Sequence, residues 1–548
     1  MKTRPLDLGQ ARTIVEVLAL RAQREPAGVY FELFDEPMTY GWLWELARRY
    51  GANLAAAGVE PGDRVAILLP TCKEFFATMF GAMVRGAIPV PLYPTYGPPE
   101  LASIFAHAGP RAAVTIGWFE PAVRRAQGSA PAFSRILAPD ELERPAAEPA
   151  WPAADPERTA FFQYTSGSTG YPKGVDLTHR ALLANIRAFV TAVEAQPGEP
   201  VVSWLPLYHD MGLIGLGFGT LYAGCHLYLL PPDLRNPRQW LELLTRTRAT
   251  ITASPDFGYR NCLRNVHDLT GLDLSSLRVA FTGAEPVRLD TVRQFEARFG
   301  LKHVMHPAYG LAEATLAVTV GDLRAPLRMD PSGRFVGVGR PVPGVEVAIW
   351  AEGTDGEPGR FLGPDEVGEI VVRTPAAMRG YYRDPEATAR AFRSGWLHTG
   401  DLGYRAPDGY LFVVGRQKDL IIVRGENVVP LDIEQVVDAV PGVRYSAAVG
   451  VTSERLGTQR LVVVAEVRDP DAAPEAASAL VRGIVSAVRQ SRGFRPSRVM
   501  LVRPGTIPKT TSGKIQHARL AAMIADARLG QAVVYPRRGA ERDATEDG

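Results

Sequence analysis

The sequence predicts an α/β protein with a large N-terminal domain of layered α/β subdomains and a β-rich subdomain, followed by a small α+β C-terminal domain. The chain of 548 residues is too long for one ordinary hydrophobic core. Through most of its length, short apolar runs alternate with longer amphipathic segments, which is typical of largely parallel sheets covered by helices. After Gly368 the runs are separated by turns, as in antiparallel hairpins.

The alternation is clearest in the N-terminal half. Residues 64–69 (RVAILL) are five apolar residues after an arginine and predict a buried strand, and residues 72–85 carry apolar side chains at helical spacing. The same two patterns predict strands at 112–116 and 201–205, with a helix at 182–193. Helices that join successive strands favour the parallel arrangement.

Beyond Gly368, strands are predicted at residues 368–373 and 409–414. A shorter mixed module follows Lys418, with strands predicted at 446–450, 461–467 and 499–502 and a helix at 475–490. We therefore expect an N-terminal domain of residues 1–417, a C-terminal lid domain of residues 418–530 and a disordered tail of residues 531–548.

Composition narrows the classes of function. The hydrophobic content of 46% and the charged content of 22% are those of a soluble globular protein. The net charge of +2 provides no broad attraction to nucleic acid or to an anionic membrane, so neither partner is expected. Residues 213–232 are apolar but interrupted by glycines, which predicts a broken helix and a buried strand rather than a transmembrane segment.

The cysteines and the N-terminus indicate the compartment. Cys72, Cys225 and Cys262 are widely spaced and form no CxxC pair, so no disulfide framework is expected. Residues 1–28 have charges spread through them and no apolar signal core. A cytoplasmic location is therefore expected.

The segment 164–174 (YTSGSTGYPKG) follows an apolar run and is dense in Gly, Ser and Thr. Backbone N–H groups and hydroxyls of such a loop bind phosphate oxygens, and Lys173 adds a cation. The Walker pattern requires Gly before the lysine and Ser or Thr after it, whereas Pro172 and Gly174 flank Lys173. The segment predicts a phosphate-binding loop and disfavours a kinase or a nucleotide hydrolase.

A second segment, 507–515 (IPKTTSGKI), places Lys514 after a glycine-containing turn near the C-terminus. A lysine on a turn is by itself usually a solvated side chain. The segment gains meaning because it completes an ordered set of motifs, whose other members are 204–215 (WLPLYHDMGLIG), 282–286 (TGAEP), 307–315 (PAYGLAEAT), 396–401 (WLHTGD) and 415–419 (GRQKD).

From Thr13 to Leu520 the chain resembles the adenylate-forming superfamily, which contains acyl-CoA synthetases, fatty acyl-AMP ligases, peptide-synthetase adenylation domains and luciferases. Segments 204–215 and 307–315 resemble the forms typical of fatty acyl-AMP ligases. The resemblance implies that an acid is activated by ATP as its acyl-adenylate, with release of pyrophosphate, and that the acyl group then passes to a thiol.

The resemblance also implies which residues bind ATP. The residues implied for the phosphates are Thr165, Ser166, Gly167, Ser168, Thr169, Gly170 and Lys173, and those beside adenine are Gly283, Ala284, Glu285, Pro286, Tyr309 and Gly310. Glu313 is implied to hold Mg²⁺, because a carboxylate is a hard ligand for a hard cation. Asp401 and Arg416 are implied to bind the ribose, and a carboxylate suits paired hydroxyls because it only accepts hydrogen bonds.

The implied catalytic residues are Lys514, Glu313 and Lys173. Lys514 is implied to bridge the substrate carboxylate and the α-phosphate, where a positioned ammonium offsets the repulsion between two anions. Lys418 has the hinge position of the family, about which a mobile C-terminal domain moves between adenylation and thiol transfer.

A fatty or similarly apolar acid is the expected substrate, and an aryl or other acid is the alternative. Candidates for the wall of the acyl pocket are Trp204, His209, Met211 and Phe257. Apolar residues beside a strand also serve as ordinary core, so this role and the structural one both stay open.

The acyl acceptor stays open between coenzyme A and the phosphopantetheine of an acyl carrier protein. Fatty acyl-AMP ligases typically carry an insertion that is linked to rejection of coenzyme A, and the interval 317–338 is short for it. The loop 424–430 resembles that of CoA ligases, and Gly425 is implied to let the pantetheine arm pass close to the backbone. A luciferase-like oxygenase shares the adenylating step, whereas a non-catalytic relative is expected to lack Lys514, Glu313 or Asp401.

Overall fold

The computed structural model describes residues 6–165, 172–233, 235–353, 359–423, 426–453, 458–510 and 514–536. The helices are α1 (Ile14–Arg24), α2 (Tyr40–Ala56), α3 (Lys73–Arg85), α4 (Pro98–Ala108), α5 (Glu120–Gln127), α6 (Pro139–Leu142), α7 (His179–Ala192), α8 (Gly219–Ala223), α9 (Arg238–Thr247), α10 (Asp256–Asn265), α11 (Leu289–Phe299), α12 (Pro385–Ala391), α13 (Pro430–Asp438), α14 (Pro474–Arg492) and α15 (His517–Ala525). A π-helix covers Met211–Phe218, and 3₁₀ turns cover Ala312–Ala314, Gln417–Asp419 and Gly530–Ala532.

The strands are β1 (Val29–Leu33), β2 (Glu36–Thr39), β3 (Arg64–Leu68), β4 (Ile88–Pro91), β5 (Ala112–Thr115), β6 (Arg135–Leu137), β7 (Thr159–Thr165), β8 (Lys173–Thr178), β9 (Pro200–Ser203), β10 (His226–Leu229), β11 (Ile251–Ser254), β12 (Val279–Thr282), β13 (Met305–Gly310), β14 (Ala317–Val320), β15 (Arg340–Pro341), β16 (Glu346–Ala351), β17 (Arg360–Phe361), β18 (Gly368–Arg373), β19 (Gly380–Tyr381), β20 (Phe392–Arg393), β21 (Trp396–Arg405), β22 (Leu411–Arg416), β23 (Ile421–Val423), β24 (Glu426–Val428), β25 (Val443–Ser453), β26 (Thr458–Val467), β27 (Arg498–Val502) and β28 (Val533–Tyr535).

Two largely parallel sheets form the N-terminal part, which confirms the predicted α/β class. Within the described residues, a nine-stranded sheet has the order β15-β14-β13-β12-β11-β9-β10-β1-β2, and its pairs from β13 to β1 are parallel. A second sheet has the order β4-β3-β5-β6 and is parallel throughout. Every residue of β5 is buried, as expected for a strand covered by helices on both faces.

The apolar stretch 213–232 is divided between helical turns and a strand, as predicted. The π-helix continues into α8, and β10 follows within the nine-stranded sheet. Gly212 is required in this turn, because a Cβ there would lie 2.3 Å from the Pro206 carbonyl oxygen. No helix in the described part of the chain is long and apolar enough to cross a membrane.

Antiparallel pairing dominates the β-rich subdomain. Its sheet has the order β17-β16-β18-β21-β20, and β22 pairs with β21. Strand β18 has the predicted bounds, whereas β22 begins at Leu411 rather than at residue 409. The cause is Gly409, whose φ of 84° belongs to the turn that precedes the strand.

The smaller C-terminal domain has a core of its own. Its sheet has the order β25-β26-β27-β28. Alternate residues of β26 face opposite sides of this sheet: Val463 packs with α13 and α14, and Val464 packs with α15. The buried residues of these two clusters begin at Ile421, and those of the N-terminal clusters end at Val414.

The prediction of a disordered tail over residues 531–548 is wrong at its beginning. Strand β28 pairs antiparallel with β27, with Tyr535 opposite Leu501. Val534 and Tyr535 pack against the core of the C-terminal domain, so apolar burial stabilises an edge strand that looked like part of a polar tail. Residues 537–548 lie outside the described residues.

Candidate active site

Asp401 and Arg416 meet because β21 and β22 pair in register at these two residues. Arg416 Nε lies 2.9 Å from Asp401 Oδ1. Tyr309, which β13 supplies from the nine-stranded sheet, donates its hydroxyl to Asp401 Oδ2 at 2.7 Å. The three side chains form one cluster where the parallel sheet meets the β-rich subdomain.

The chemistry of this cluster is that of an acceptor for hydroxyl groups. Asp401 is 6% exposed. Its charge raises the pKa of the Arg416 guanidinium, and burial next to Asp401 raises the pKa of the Tyr309 hydroxyl. At neutral pH, Arg416 therefore stays cationic and Tyr309 keeps its proton. Each oxygen of Asp401 keeps a further lone pair for an incoming donor.

A second carboxylate supports the backbone just before Asp401. Glu369 accepts the Gly400 N–H at 2.9 Å and lies 2.7 Å from His398 Nδ1. Gly400 has a φ of 69°, which glycine adopts without steric cost. The peptide that carries Asp401 is therefore fixed by buried charge as well as by strand pairing.

Lys173 and Glu313 are joined through a tyrosine. The hairpin of β7 and β8 places Thr165 opposite Lys173, at the two ends of the predicted phosphate loop. Lys173 Nζ lies 4.4 Å from the centre of the Tyr381 ring, and Tyr381 donates its hydroxyl to Glu313 Oε1 at 2.7 Å. The other predicted loop residues, Ser166, Gly167, Ser168, Thr169 and Gly170, lie outside the described residues.

Lys514 approaches this site from the C-terminal domain. Burial and the charge of Arg416 lower the pKa of the Lys514 ammonium, and the carboxylates of Asp210, Asp401 and Glu313 oppose that shift. Lys514 is thus within electrostatic reach of the Asp401 cluster and of Glu313. Residues that lie far apart in the chain converge on one site.

The segment after β12 brings backbone close to the same site. A Cβ at Gly283 would lie 2.8 Å from the Ala308 carbonyl oxygen, so the close approach requires glycine. Ala284 has a φ of 63°, and Pro286 is exposed. Tyr309 and Gly310 end β13, the strand that pairs with β12.

The Glu285 carboxylate has a partner of its own. It accepts the Phe257 N–H at 2.6 Å, at the beginning of α10. Burial raises the pKa of Glu285 to about 7, and the nearby charge of Asp256 acts in the same direction. The Glu285 carboxylate therefore caps α10. Because this side chain is occupied, a ligand at 283–286 would contact the backbone.

The predicted acyl-pocket residues divide into two groups. Trp204 is buried and packs edge-on against Phe257, with 5.8 Å between the ring centroids. His209 Nδ1 lies 2.7 Å from Asp210 Oδ1, and Met211 begins the π-helix. The structure brings Trp204 and Phe257 together as apolar wall, whereas His209 is engaged by a carboxylate.

Two residues of the site were missing from the predicted set, Tyr381 and Asp210. Tyr381 lies on β19, which pairs with β8 beside Lys173, and no charge or spacing in the sequence marked it. Asp210 lies inside segment 204–215, so attention to its carboxylate could have found it. Burial by itself raises the pKa of Asp210, but His209 and Lys514 hold it below its usual range.

The hinge and thiol predictions concern the border of the C-terminal domain. Lys418 lies in the exposed 3₁₀ turn between β22 and β23. The residue as a whole is exposed, but its ammonium end is partly desolvated, and this desolvation together with repulsion by Arg416 lowers its pKa. Gly425 lies outside the described residues.

Comparison with known proteins identifies the family of this chain. Residues 18–382 match the family of AMP-binding enzymes. The medium-chain-fatty-acid–[acyl-carrier-protein] ligase JamA of Moorena producens is 32% identical, over 95% of this chain and 96% of JamA. A solved structure from a study of fatty acyl-adenylate ligases of E. coli and L. pneumophila is 30% identical, with a TM-score of 0.86 over 96% of this chain and 99% of that one. ATP-bound MatB of Rhodopseudomonas palustris is 26% identical, with a TM-score of 0.80 over 94% and 99%.

The fold and the matched residues 18–382 agree in what they show. The chain belongs to the family of AMP-binding enzymes, which use ATP. It is an adenylate-forming acid ligase.

Proposed function

We propose that the protein activates a fatty or similarly apolar carboxylic acid with ATP and transfers the acyl group to the phosphopantetheine of an acyl carrier protein. The observation that carries the proposal is the convergence of Lys514 from the C-terminal domain with Asp401, Arg416 and Glu313 from the N-terminal domain. A site assembled from two domains suits a reaction that must first enclose two anions and later admit a thiol.

In this proposal the nucleoside of ATP is bound by the Asp401 cluster. The Asp401 carboxylate accepts hydrogen bonds from the ribose hydroxyls, and Arg416 donates to the same sugar. Adenine is proposed to lie between the Tyr309 ring and the backbone of 283–286, which Gly283 lets pack closely against Ala308, the residue before Tyr309. Burial of Asp401 supports this assignment, because a buried acceptor with free lone pairs favours a ligand that donates.

The phosphates are proposed to be bound beside Thr165 and Lys173, which the strand pairing sets opposite each other, and beside Glu313. The contact of Lys173 with Tyr381, and of Tyr381 with Glu313, supports a common role for the three side chains. Glu313 suits Mg²⁺, since a carboxylate oxygen is the ligand class that this ion prefers. When bound, Mg²⁺ neutralises charge on the phosphates. Tyr381 orients the Glu313 carboxylate for that contact.

Lys514 acts on the reacting atoms. A substrate carboxylate oxygen attacks the α-phosphorus, the bond from that phosphorus to the bridging oxygen breaks, and pyrophosphate leaves with the electron pair. The Lys514 ammonium donates to the carboxylate and to the α-phosphate, so it offsets the repulsion before the attack and the charge that develops in the transition state. No proton transfer is required in this step.

The acyl chain is proposed to lie along Trp204, Met211 and Phe257, with His209 at the polar end of the pocket. The edge-on contact of Trp204 with Phe257 supports an apolar wall. The acid of JamA is a medium-chain fatty acid, according to its name, and this favours a fatty acid over an aryl acid here.

The acceptor proposal also follows JamA, whose name specifies an acyl carrier protein. We propose that the domains divide at residues 417 and 418, that Lys418 is the hinge and that Gly425 borders the thiol path. The division of the buried clusters between Val414 and Ile421 supports a boundary there. Coenzyme A is the competing acceptor.

The experiment measures exchange of pyrophosphate into ATP with a panel of fatty acids of increasing length and with aryl acids. Exchange that depends on a fatty acid supports the proposal, whereas exchange with aryl acids alone contradicts the acyl assignment. Product mass after addition of a phosphopantetheinylated carrier protein or of coenzyme A then identifies the acceptor. Formation of ADP instead of AMP would contradict adenylation.

A further inference from the structure

Helix α13 of the C-terminal domain is paired with the N-terminal domain at both of its ends. In its first turn, Asp432 Oδ2 accepts a hydrogen bond from Arg334 at 3.1 Å. At its last residue, Asp438 Oδ2 lies 2.7 Å from Arg288 and 4.0 Å from Arg260. All three arginines belong to the N-terminal domain, so the helix is held across the interface at each end.

The dipole of α13 affects the two aspartates in opposite ways. The partial positive charge at a helix N-terminus stabilises an acid in the first turn, which accounts for Asp432 without any partner. Asp438 occupies the C-terminus, where the helix dipole disfavours negative charge, and its side chain is only 7% exposed. Within its own domain it accepts a hydrogen bond from the neutral Ser446. The cation that compensates Asp438 comes from the other domain.

The same helix is connected to the segment that carries Lys514. Glu434, in the middle of α13, lies 2.8 Å from His517 Nε2. His517 follows Lys514 by three residues, and its Nδ1 lies 3.6 Å from Asp419 in the turn after Lys418. Burial opposes protonation, but Glu434 and Asp419 raise the pKa of His517 to about 10, so it is cationic at neutral pH. The ion pair between Glu434 and His517 therefore links α13 to the segment that carries Lys514.

We propose that α13 is the docking element that holds Lys514 in the nucleotide site, with Asp438 and Asp432 as positioning residues for adenylation. The proposal rests on the proposed function. Loss of the interdomain pairs lowers the fraction of molecules in which the C-terminal domain is docked, and thereby the fraction in which Lys514 reaches the substrates.

The Asp438 end contributes more than the Asp432 end. The Arg288 side chain is 18% exposed, whereas that of Arg334 is 42% exposed. Arg334 and Asp432 also border a cavity of about 280 Å³, and water in such a cavity weakens an ion pair. Asp438 loses its compensating cation completely when the domains part.

The test uses the full chain and measures the two half-reactions separately. Adenylation is followed as acid-dependent exchange of pyrophosphate into ATP. Acyl transfer is followed from added acyl-adenylate to the thiol acceptor, a step in which Lys514 has no proposed part. We expect Asp438→Asn to lower kcat for exchange about tenfold and Asp432→Asn about threefold, with acyl transfer unchanged or faster.

The matched control is Asp471→Asn, which removes an ion pair to Arg503 (3.1 Å) that lies wholly inside the C-terminal domain. It is expected to leave both half-reactions unchanged. Arg288→Met is expected to reproduce Asp438→Asn, and the double variant to lose no more than either single variant, as for two partners of one interaction. An equal fall in both half-reactions, or unchanged exchange in Asp438→Asn, would overturn the proposal.

Docking is also measured without activity. In solution X-ray scattering, Asp438→Asn is expected to have a larger radius of gyration than Asp471→Asn, and equal radii overturn the docking role. Where Asp438→Asn does not fold, Arg288→Met gives the same comparisons, because it removes the cation that compensates Asp438 and leaves the aspartate in place. Absence of exchange with any acid in the natural chain contradicts the proposed function, while the scattering result still decides the docking role.

Discussion

The two sides of the candidate active site are held in different ways. The Asp401 side is built into the N-terminal domain, because strand pairing sets Asp401 opposite Arg416 and a tyrosine from the parallel sheet completes the cluster. The Lys514 side depends on the placement of the C-terminal domain, which has its own core and contacts the other domain through ion pairs.

This difference teaches how binding and chemistry are divided. A preformed cluster on a rigid sheet suits the recognition of a nucleotide that must stay bound through two steps. A cation on a separate domain suits a role that is needed in only one of them. Substitutions on the first side should therefore raise KM for ATP, and substitutions on the second side should lower kcat.

The largest effect is expected for Lys514→Ala. Removal of a positioned charge that acts in the transition state typically costs on the order of a hundredfold or more in rate. We expect kcat for pyrophosphate exchange to fall by that factor, with KM for ATP little changed and transfer from added acyl-adenylate preserved. Arg519→Ala, which removes an exposed cation from nearby α15, is the control. A loss in acyl transfer equal to that in exchange would contradict the division of roles.

Asp401→Asn tests the Asp401 side of the site, which is built into the N-terminal domain. Hydrogen bonds to a charged group contribute about 1.5–3 kcal/mol each, and about 1.4 kcal/mol is a factor of ten in binding. We expect KM for ATP in the exchange assay to rise about tenfold to a hundredfold, with a smaller change in kcat at saturating ATP. Glu346→Gln, which breaks an exposed pair with Arg373 in the same subdomain, is expected to leave KM unchanged. A fall in kcat as large as that in Lys514→Ala would contradict the assignment of Asp401 to nucleotide binding.

Tyr381→Phe should have an intermediate effect. It removes the hydroxyl that donates to Glu313, so the carboxylate loses its orientation while the aromatic contact with Lys173 is kept. We expect kcat to fall about threefold to tenfold, the value of one hydrogen bond, and higher Mg²⁺ to restore part of it. Tyr382→Phe is the control, since that ring packs against Phe162 instead. A rate that does not depend on Mg²⁺ in the Tyr381 variant would contradict the orienting role.

The smallest effect concerns stability and pH. Because the pKa of Glu285 is raised to about 7 in the folded protein, the folded state binds more protons than the unfolded state between the usual carboxyl range and pH 7. This group therefore lowers stability as pH rises through that window. We expect Glu285→Gln to raise the midpoint of thermal unfolding by a few degrees at pH 8, with the difference lost near pH 4. A difference that is constant with pH would exclude ionisation of Glu285 as the cause.

Much of the fold could be predicted from local pattern. Strand β18 has its predicted bounds, and α3 and β5 differ from prediction by a residue at one end, because periods of two and of 3.6 residues are set by neighbours in the chain. The tail was misjudged at Val533–Tyr535, where three residues are too few for a periodic signal and only their partner strand explains them.

The sequence by itself determined the α/β class and the candidate lysines and carboxylates, since each depends on residue type and near neighbours. Only the tertiary structure decided that Tyr309 meets Asp401, that Tyr381 meets Glu313 and that Arg288 compensates Asp438. These partners are far apart in the chain, and their contacts depend on sheet order and domain docking, which no local pattern encodes.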